Sequence, residues 1–231
     1  MKMKPSTARS FWKALMDNAT NLIADADVLL ERGSYGRARS LTVLAQEELG
    51  KALWLYQTFA ESWSTGAEEA LTATKLTTDG RSHAVKYMEA FVFGRELEGF
   101  WGVQRFEDLP LDASEADWQA YFARQAAKAE AAGKQANADK MAGFYVDLDK
   151  DGDTVHSPAD IGPETIADDL RTAAQVVEML LITDHSRMKF DAVTPYDSTH
   201  AQQYSLLPIT HPEDWQAASE TFTKSDDTTE D

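Results

Sequence analysis

The sequence contains no cysteine, and this absence excludes several kinds of chemistry. Without a thiol, the 231-residue chain cannot form a disulfide, ligate a metal through thiolate or use a cysteine nucleophile. It also has no run of 18 apolar residues, and its amino-terminal segment lacks an apolar signal-peptide region before Phe11. We therefore expect a protein of the reducing cytoplasm that is neither secreted nor inserted in a membrane.

Basic residues are scarce in the second half of the chain. Residues 107–231 hold 9 Lys and Arg against 26 Asp and Glu, whereas residues 1–106 hold 13 of each, so the second half carries the whole net charge of −17. Such an acidic molecule repels nucleic acid over most of its surface. The neutral first half still has enough basic side chains for a small phosphate-binding pocket, which leaves a local RNA site possible.

Strand-forming patterns are almost absent, and helical periodicity dominates. A first helix is predicted from Ser6 to Glu31, with Gly33 ending it and Ser34 capping the second helix, which runs to Phe59. The link is so short that these two helices must be antiparallel. A short helical piece is predicted over residues 67–75.

Three further helices are predicted in the rest of the chain. They cover Ser82 to Trp101, the Ala-rich and weakly amphipathic segment Ser114 to Lys140, and a segment that starts near Pro163. We predict an all-α antiparallel bundle over residues 1–190, with the Ala-rich helix as a long addition that projects from the bundle or shields one of its faces. We expect residues 191–231 to form an extension that ends in a disordered acidic tail.

The second helix carries ionisable residues where an apolar face is expected. A helical wheel places Glu48 in the middle of a stripe of apolar side chains, with Arg37 close to that stripe, Lys51 at its edge and Glu47 turned towards solvent. A carboxylate on a buried face needs a cationic or hydrogen-bonding partner. Glu48 therefore belongs either to a structural ion pair or to a functional site, and Glu47 with Lys51 could be an ordinary surface pair.

The acidic segment Asp147 to Asp153 matches the opening of a calcium-binding EF-hand loop. Its twelfth position, however, is Pro158 and not the bidentate glutamate that such loops use. An acidic surface turn and a weak calcium site are the two interpretations. The Glu-x-x-His pattern of di-iron bundles does not occur, so we predict no metal centre and no cofactor.

Several motifs in the first two helices resemble the AbiV family of abortive infection proteins. They are Asn18-Ala19-Thr20-Asn21-Leu22, Gly33-Ser34-Tyr35 and Leu44-Ala45-Gln46-Glu47-Glu48-Leu49-Gly50-Lys51. Ser82-His83 with Lys86, and later Gly143-Phe144-Tyr145-Val146-Asp147 before Ser157-Pro158, are similar to the motifs that follow in that family. The resemblance extends over about residues 11 to 185.

The resemblance implies a HEPN-like helical bundle, a bacterial cytoplasmic setting, a homodimer and a role in halting phage-infected cells. Many HEPN proteins are metal-independent endoribonucleases whose signature is an arginine followed four to six residues later by a histidine. None of the five histidines of this chain has an arginine at that distance, a departure that concerns catalysis and not the fold.

These residues are compatible with two functions. In the first, the protein is an endoribonuclease in which His83 or Glu48 is the general base and Arg37 or Lys51 stabilises the developing charge on an RNA phosphate. In the second, it is a non-catalytic protein that binds a phage or host partner, and the same residues form an ion-pair network between helices.

Overall fold

The computed structural model describes residues 1–100, 114–190 and 200–214. Within these ranges the helices are α1 (Pro5–Glu31), α2 (Tyr35–Thr65), α3 (Thr74–Thr78), α4 (His83–Phe100), α5 (Glu115–Phe144), α6 (Ile166–Phe190) and α7 (His200–Thr210). The short strands are β1 (Lys2–Met3), β2 (Leu71–Thr72), β3 (Asp147–Leu148) and β4 (Val155–His156), and a 3₁₀ turn covers Pro158–Asp160. The predicted all-α fold is confirmed.

Helices α1 and α2 form the predicted antiparallel hairpin. Gly33 has a left-handed backbone with φ of 71°, a conformation that glycine adopts without steric cost. The Ser34 N–H donates to the Leu29 carbonyl at 2.8 Å and closes the end of α1. Ser34 is the N-cap residue of α2, as predicted, although its side chain makes no capping hydrogen bond.

Helix α2 lies at the centre of the bundle. Helices α1, α4, α5 and α6 all pack against it, so it is buried around most of its circumference. Its apolar side chains join those of α1 and α6 in the main core, whose largest fully buried members include Trp12, Trp54, Phe59, Leu170 and Leu181. A helix enclosed in this way has no broad solvent face on which ionisable groups can be placed.

The short elements differ in detail from the prediction. Strand β2 occupies Leu71–Thr72 and pairs with β1, and the short helix begins only at Thr74. The predicted helical piece over residues 67–75 is therefore displaced, because pairing with the amino-terminal residues extends the backbone at that point.

Helix α5 extends beyond the bundle at its amino-terminal end. Most residues from 115 to 128 are exposed, and Trp118, Tyr121 and Phe122 form an aromatic group there with ring centroids 5.7–6.1 Å apart. The second half packs on α2 and α4, with Gly133, Ala136 and Lys140 buried. The helix therefore both projects from the bundle and shields part of it.

Helix α7 lies within the predicted extension. It packs against α6 and α1, and Leu206 is buried in the main core. The predicted disordered tail, from Lys224 to Asp231, is outside the described residues.

Close backbone contact joins α2 to α4. A Cβ atom at Gly50 would collide with the backbone carbonyl of Lys86, so glycine is what lets the two helices approach each other there. This contact fixes where the first turn of α4 lies along the axis of α2.

The Gly50→Ala variant should be less stable than the wild type by about 1–3 kcal/mol, because overpacking outweighs the better helix propensity of alanine. Urea unfolding measures this difference. Ser64→Ala, a change of similar size near the end of the same helix, serves as the control and should leave stability within about 0.5 kcal/mol. A Gly50→Ala protein as stable as the wild type would contradict the close contact.

Candidate functional site

The clearest polar cluster in the bundle surrounds Glu47 of α2. This residue is 2% exposed, and its carboxylate receives three cationic or hydrogen-bonding groups from two other helices. The Lys140 Nζ donates to Oε1 at 2.6 Å, while the Lys86 Nζ lies 3.2 Å and the His83 Nδ1 2.6 Å from Oε2. We refer to Glu47, His83, Lys86 and Lys140 as the Glu47 cluster.

The ionised form of Glu47 is favoured inside the bundle. Burial by itself would raise the pKa of Glu47, but hydrogen bonds from Lys140 and His83 and the charges of Lys140 and Lys86 outweigh it and lower the pKa. Glu47 is therefore a carboxylate at neutral pH. Because a carboxylate has no proton to donate, the His83 Nδ1 must be the hydrogen-bond donor of the pair.

The two lysines of the cluster are almost as buried as the carboxylate. Lys86 is 7% exposed and Lys140 is 6% exposed. Within the described part of the chain, neither ammonium has an ion-pair partner other than Glu47. Two buried cations thus share one anion, and the cluster keeps an excess positive charge.

His83 occupies the solvent side of the cluster. It is the first residue of α4, as predicted, and 53% of its side chain is exposed. Since Nδ1 is bonded to Glu47, the Nε2 atom of a neutral ring keeps its lone pair for another group.

The wheel prediction for the two glutamates of α2 was wrong. Glu47, expected to face solvent, is the buried residue, whereas Glu48 is partly exposed and pairs with Lys51 at 2.7 Å. The Glu47–Lys51 pair is not formed. The reason is that α4 and α5 cover the side of α2 that the sequence alone left open, so burial does not follow the most apolar stripe.

Arg37 is not brought to the cluster. It is exposed, and among residues 1–100, 114–190 and 200–214 its guanidinium reaches only the Ser34 hydroxyl, at 3.5 Å. Ten residues of helix separate it from Glu47, a rise of about 15 Å. The structure therefore separates the sequence-predicted residues into an exposed Arg37, a Glu48–Lys51 pair and a His83 bound to Glu47.

Sequence reasoning did not single out Lys86 or Lys140 as partners of a buried carboxylate. Lys86 could have been identified from the sequence, since His83 and Lys86 are three residues apart and share a helix face. Lys140 carried no such signal, because it lies in an Ala-rich helix whose packing partner the sequence does not reveal.

A second buried ion network joins α1 to α6. Asp184 is fully buried and binds the Arg9 Nη2 at 2.6 Å and the Arg187 Nη2 at 2.9 Å. The Arg9 guanidinium also lies over the Trp12 and Trp63 rings, 4.7 and 5.2 Å from their centroids. This Asp184 network fastens the helices at the end of the bundle where α1 begins.

The acidic turn that resembles an EF-hand opening connects β3 and β4. The Asp149 carboxylate accepts a hydrogen bond from the Asp153 backbone N–H at 2.8 Å, and this bond, followed by the one from Thr154, lowers the pKa of Asp149. The segment thus forms an acidic turn at the surface. In residues 1–100, 114–190 and 200–214, no three His, Asp or Glu side chains are grouped so that they could hold a metal ion.

No helix in the described ranges is both long enough and apolar enough to cross a membrane.

The all-α bundle is the fold that the resemblance in sequence implied. The profile of the HEPN_AbiV family, described as AbiV, matches residues 7–178. The chain therefore belongs to the AbiV family, as the motifs predicted, and this membership associates it with phage defence by abortive infection. No curated protein and no solved structure matches the chain.

Substitution of the two glutamates distinguishes their environments. Glu47→Gln keeps the shape of the side chain but leaves two buried ammonium groups without an anion, so it should cost about 3–5 kcal/mol of stability. Glu48→Gln breaks a partly exposed pair and should cost less than about 1 kcal/mol. Urea unfolding of both proteins measures this, and equal losses would contradict the assignment of Glu47 as the buried residue.

The same carboxylate predicts how stability depends on pH. The pKa of Glu47 in the folded protein lies below its ordinary value of 4.5, so the stabilisation is complete above that value and is lost as pH falls through the lower folded-state pKa. The stability difference between wild type and Glu47→Gln should therefore narrow at acidic pH. Thermal unfolding across pH 3 to 7 measures it, and a constant difference would argue against a buried ionised Glu47.

Proposed function

We propose that this AbiV-family protein is a phage-defence effector that cleaves RNA without a metal ion at the Glu47 cluster. The observation that carries the proposal is the 2.6 Å contact between the Glu47 carboxylate and the His83 Nδ1. A buried carboxylate that holds a histidine fixes its tautomer and its orientation, which is how hydrolytic enzymes prepare a general base.

His83 is the general base in this proposal. Its side chain is half exposed, so its free Nε2 atom can reach a substrate that does not enter the bundle. Glu47 is a positioning residue, because it is covered by the lysines and by His83 and acts on a substrate only through the imidazole. Glu48, by contrast, is engaged with Lys51 and is the weaker choice of base.

Positive charge near His83 suits a phosphodiester. Lys86 and Lys140 leave the cluster with a net positive charge when His83 is neutral. Lys51 follows Glu47 by one helical turn and is only partly exposed, and it is the cation that we assign to the phosphate. Arg37 has no part in this arrangement.

The reaction needs only the chain and the RNA. The His83 Nε2 removes the proton of a ribose 2′-hydroxyl, and the 2′-oxygen forms a bond to the adjacent phosphorus. The bond from phosphorus to the 5′-oxygen breaks, and the leaving oxygen takes a proton from the Lys51 ammonium or from water. The products are a 2′,3′-cyclic phosphate and a 5′-hydroxyl end.

A second candidate function is binding of a phage or host protein without catalysis. It is favoured by the missing arginine–histidine signature and by the aromatic group on the projecting half of α5, in which Trp118 and Phe122 are exposed and Tyr121 is partly exposed. In that case the Glu47 cluster is a structural network that holds α4 and α5 on α2.

The test compares RNA in cells that express the wild type or His83→Ala, with and without phage. Loss of a general base lowers the cleavage rate by about 10²–10⁴-fold, so His83→Ala should abolish the fragments and the protection. Circular dichroism first establishes that the variant is folded. Fragment ends are then examined for the cyclic phosphate that metal-free cleavage leaves.

His156→Ala is the matched control, because His156 is exposed on strand β4 and lies outside the cluster. It should leave fragments and protection unchanged. Intact RNA in cells that the wild-type protein protects would overturn the nuclease proposal and favour the binding function.

A further inference from the structure

The projecting half of α5 presents its aromatic group to solvent. Phe122 is 62% exposed and Trp118 is 45% exposed, and Tyr121 is partly exposed beside them. The Trp118 and Phe122 rings stack with centroids 5.9 Å apart, and the Tyr121 ring meets both of them edge-on. An exposed apolar group of this kind marks a surface that binds a partner.

The aromatic group continues the packing face of α5. At about 100° per residue, Tyr121 and Phe122 both project within about 60° of Trp118. Farther along the helix the same side is buried, since Ala129 is 2% exposed and Ala136 is 4% exposed and packs in the second hydrophobic cluster. The projecting half therefore has the apolar side of a packed helix without the helices that cover it farther on.

Two opposite charges flank the aromatic group. Asp117 precedes Trp118, and Arg124 lies seven positions after Asp117, so the two charges share a side of the helix about two turns apart. Both are exposed, and within the described ranges neither forms an ion pair. Hydrogen bonds from the Ser114 side chain and backbone lower the pKa of Asp117, so it is a carboxylate at neutral pH.

This order of charges is complementary to its own reverse. The middle of the interval between Asp117 and Arg124 falls next to Tyr121. If two copies of the helix lie antiparallel about a twofold axis at that point, Asp117 of each copy lies opposite Arg124 of the partner subunit. The two aromatic groups then meet between these pairs. A parallel arrangement would place like charges side by side.

The net charge of the surface also favours a second copy. Residues 115–128 contain two acidic and two basic residues and are neutral, although the second half of the chain carries the whole charge of −17. Two such acidic molecules repel each other over most of their surfaces. The repulsion is weakest where they meet at a neutral segment.

We infer that the projecting halves of α5 from two copies of this chain pack antiparallel and form a homodimer. The aromatic group lies at the centre of the interface, and an Asp117–Arg124 pair lies on each side of the twofold axis. The inference goes beyond the proposed function, because it assigns the surface through which the copies associate. A contact of about four helical turns is small for a specific interface, so the dissociation constant should be in the micromolar range.

The first experiment is sedimentation equilibrium of the full-length protein from about 1 to 100 µM, a range that spans such affinities. The mass should rise from the 25.6 kDa of one chain towards twice that value. Phe122→Ser should raise the dissociation constant at least about tenfold, because it removes an aromatic anchor. Phe190→Ser, at an 85% exposed position at the end of α6, is the matched control and should leave association unchanged. Circular dichroism compares the folding of all variants.

The second experiment tests the antiparallel arrangement through charge reversal. Asp117→Arg alone brings two arginines together in each pair, and Arg124→Asp alone brings two aspartates together, so each variant should dimerise at least about tenfold more weakly. In an equimolar mixture of the two variants, both pairs of the heterodimer join opposite charges again. The mixture should therefore associate about as tightly as the wild type.

Restored association in the mixture supports the inference, because neither variant alone can recover it through a change in its own folding. A wild type that stays monomeric up to about 100 µM would overturn the inference and leave the aromatic group to another partner. A dimer that Phe122→Ser leaves intact overturns it too, as does a mixture that associates no better than its components. No RNA enters these measurements, so they can be interpreted whether or not the protein is a nuclease.

Discussion

The burial of helix α2 on most of its circumference governs where the polar groups of this helix can be placed. Four helices pack on α2, so a fully buried ionisable residue on the sides that they cover needs partners from those helices. Glu47 meets this requirement with Lys86 from α4 and Lys140 from α5. The glutamate thereby joins three helices, and its position determines where His83 is held at the start of α4.

The Glu47 cluster and the Asp184 network follow the same physical rule at different places. In each, one buried carboxylate is shared by two cationic side chains from different turns or helices, and the carboxylate is the most buried member. The difference lies in exposure. Arg9 and Arg187 lie against tryptophan rings, whereas the Glu47 cluster ends in a half-exposed imidazole. Because this imidazole is exposed, it can contact a substrate or partner, whereas the Asp184 network only joins helices.

The chain belongs to the AbiV family although it lacks the arginine–histidine signature. The signature places an arginine and a histidine four to six residues apart in the chain. In the proposed site, His83 is on α4, and the cations considered with it, Lys51, Lys86 and Lys140, are on α2, α4 and α5.

Local signals in the sequence were enough to predict the helical fold, the α1–α2 hairpin and the position of His83 at the start of α4. These signals are helical periodicity, a glycine at the turn and family motifs, and none of them requires knowledge of distant residues. Packing between helices determines which glutamate is buried. A helical wheel ranks faces by their apolar content, but Glu47 and Glu48 differ in burial because α4 and α5 pack on one side of α2. Lys140 reaches Glu47 across 93 residues of chain, a separation at which sequence spacing carries no geometric information.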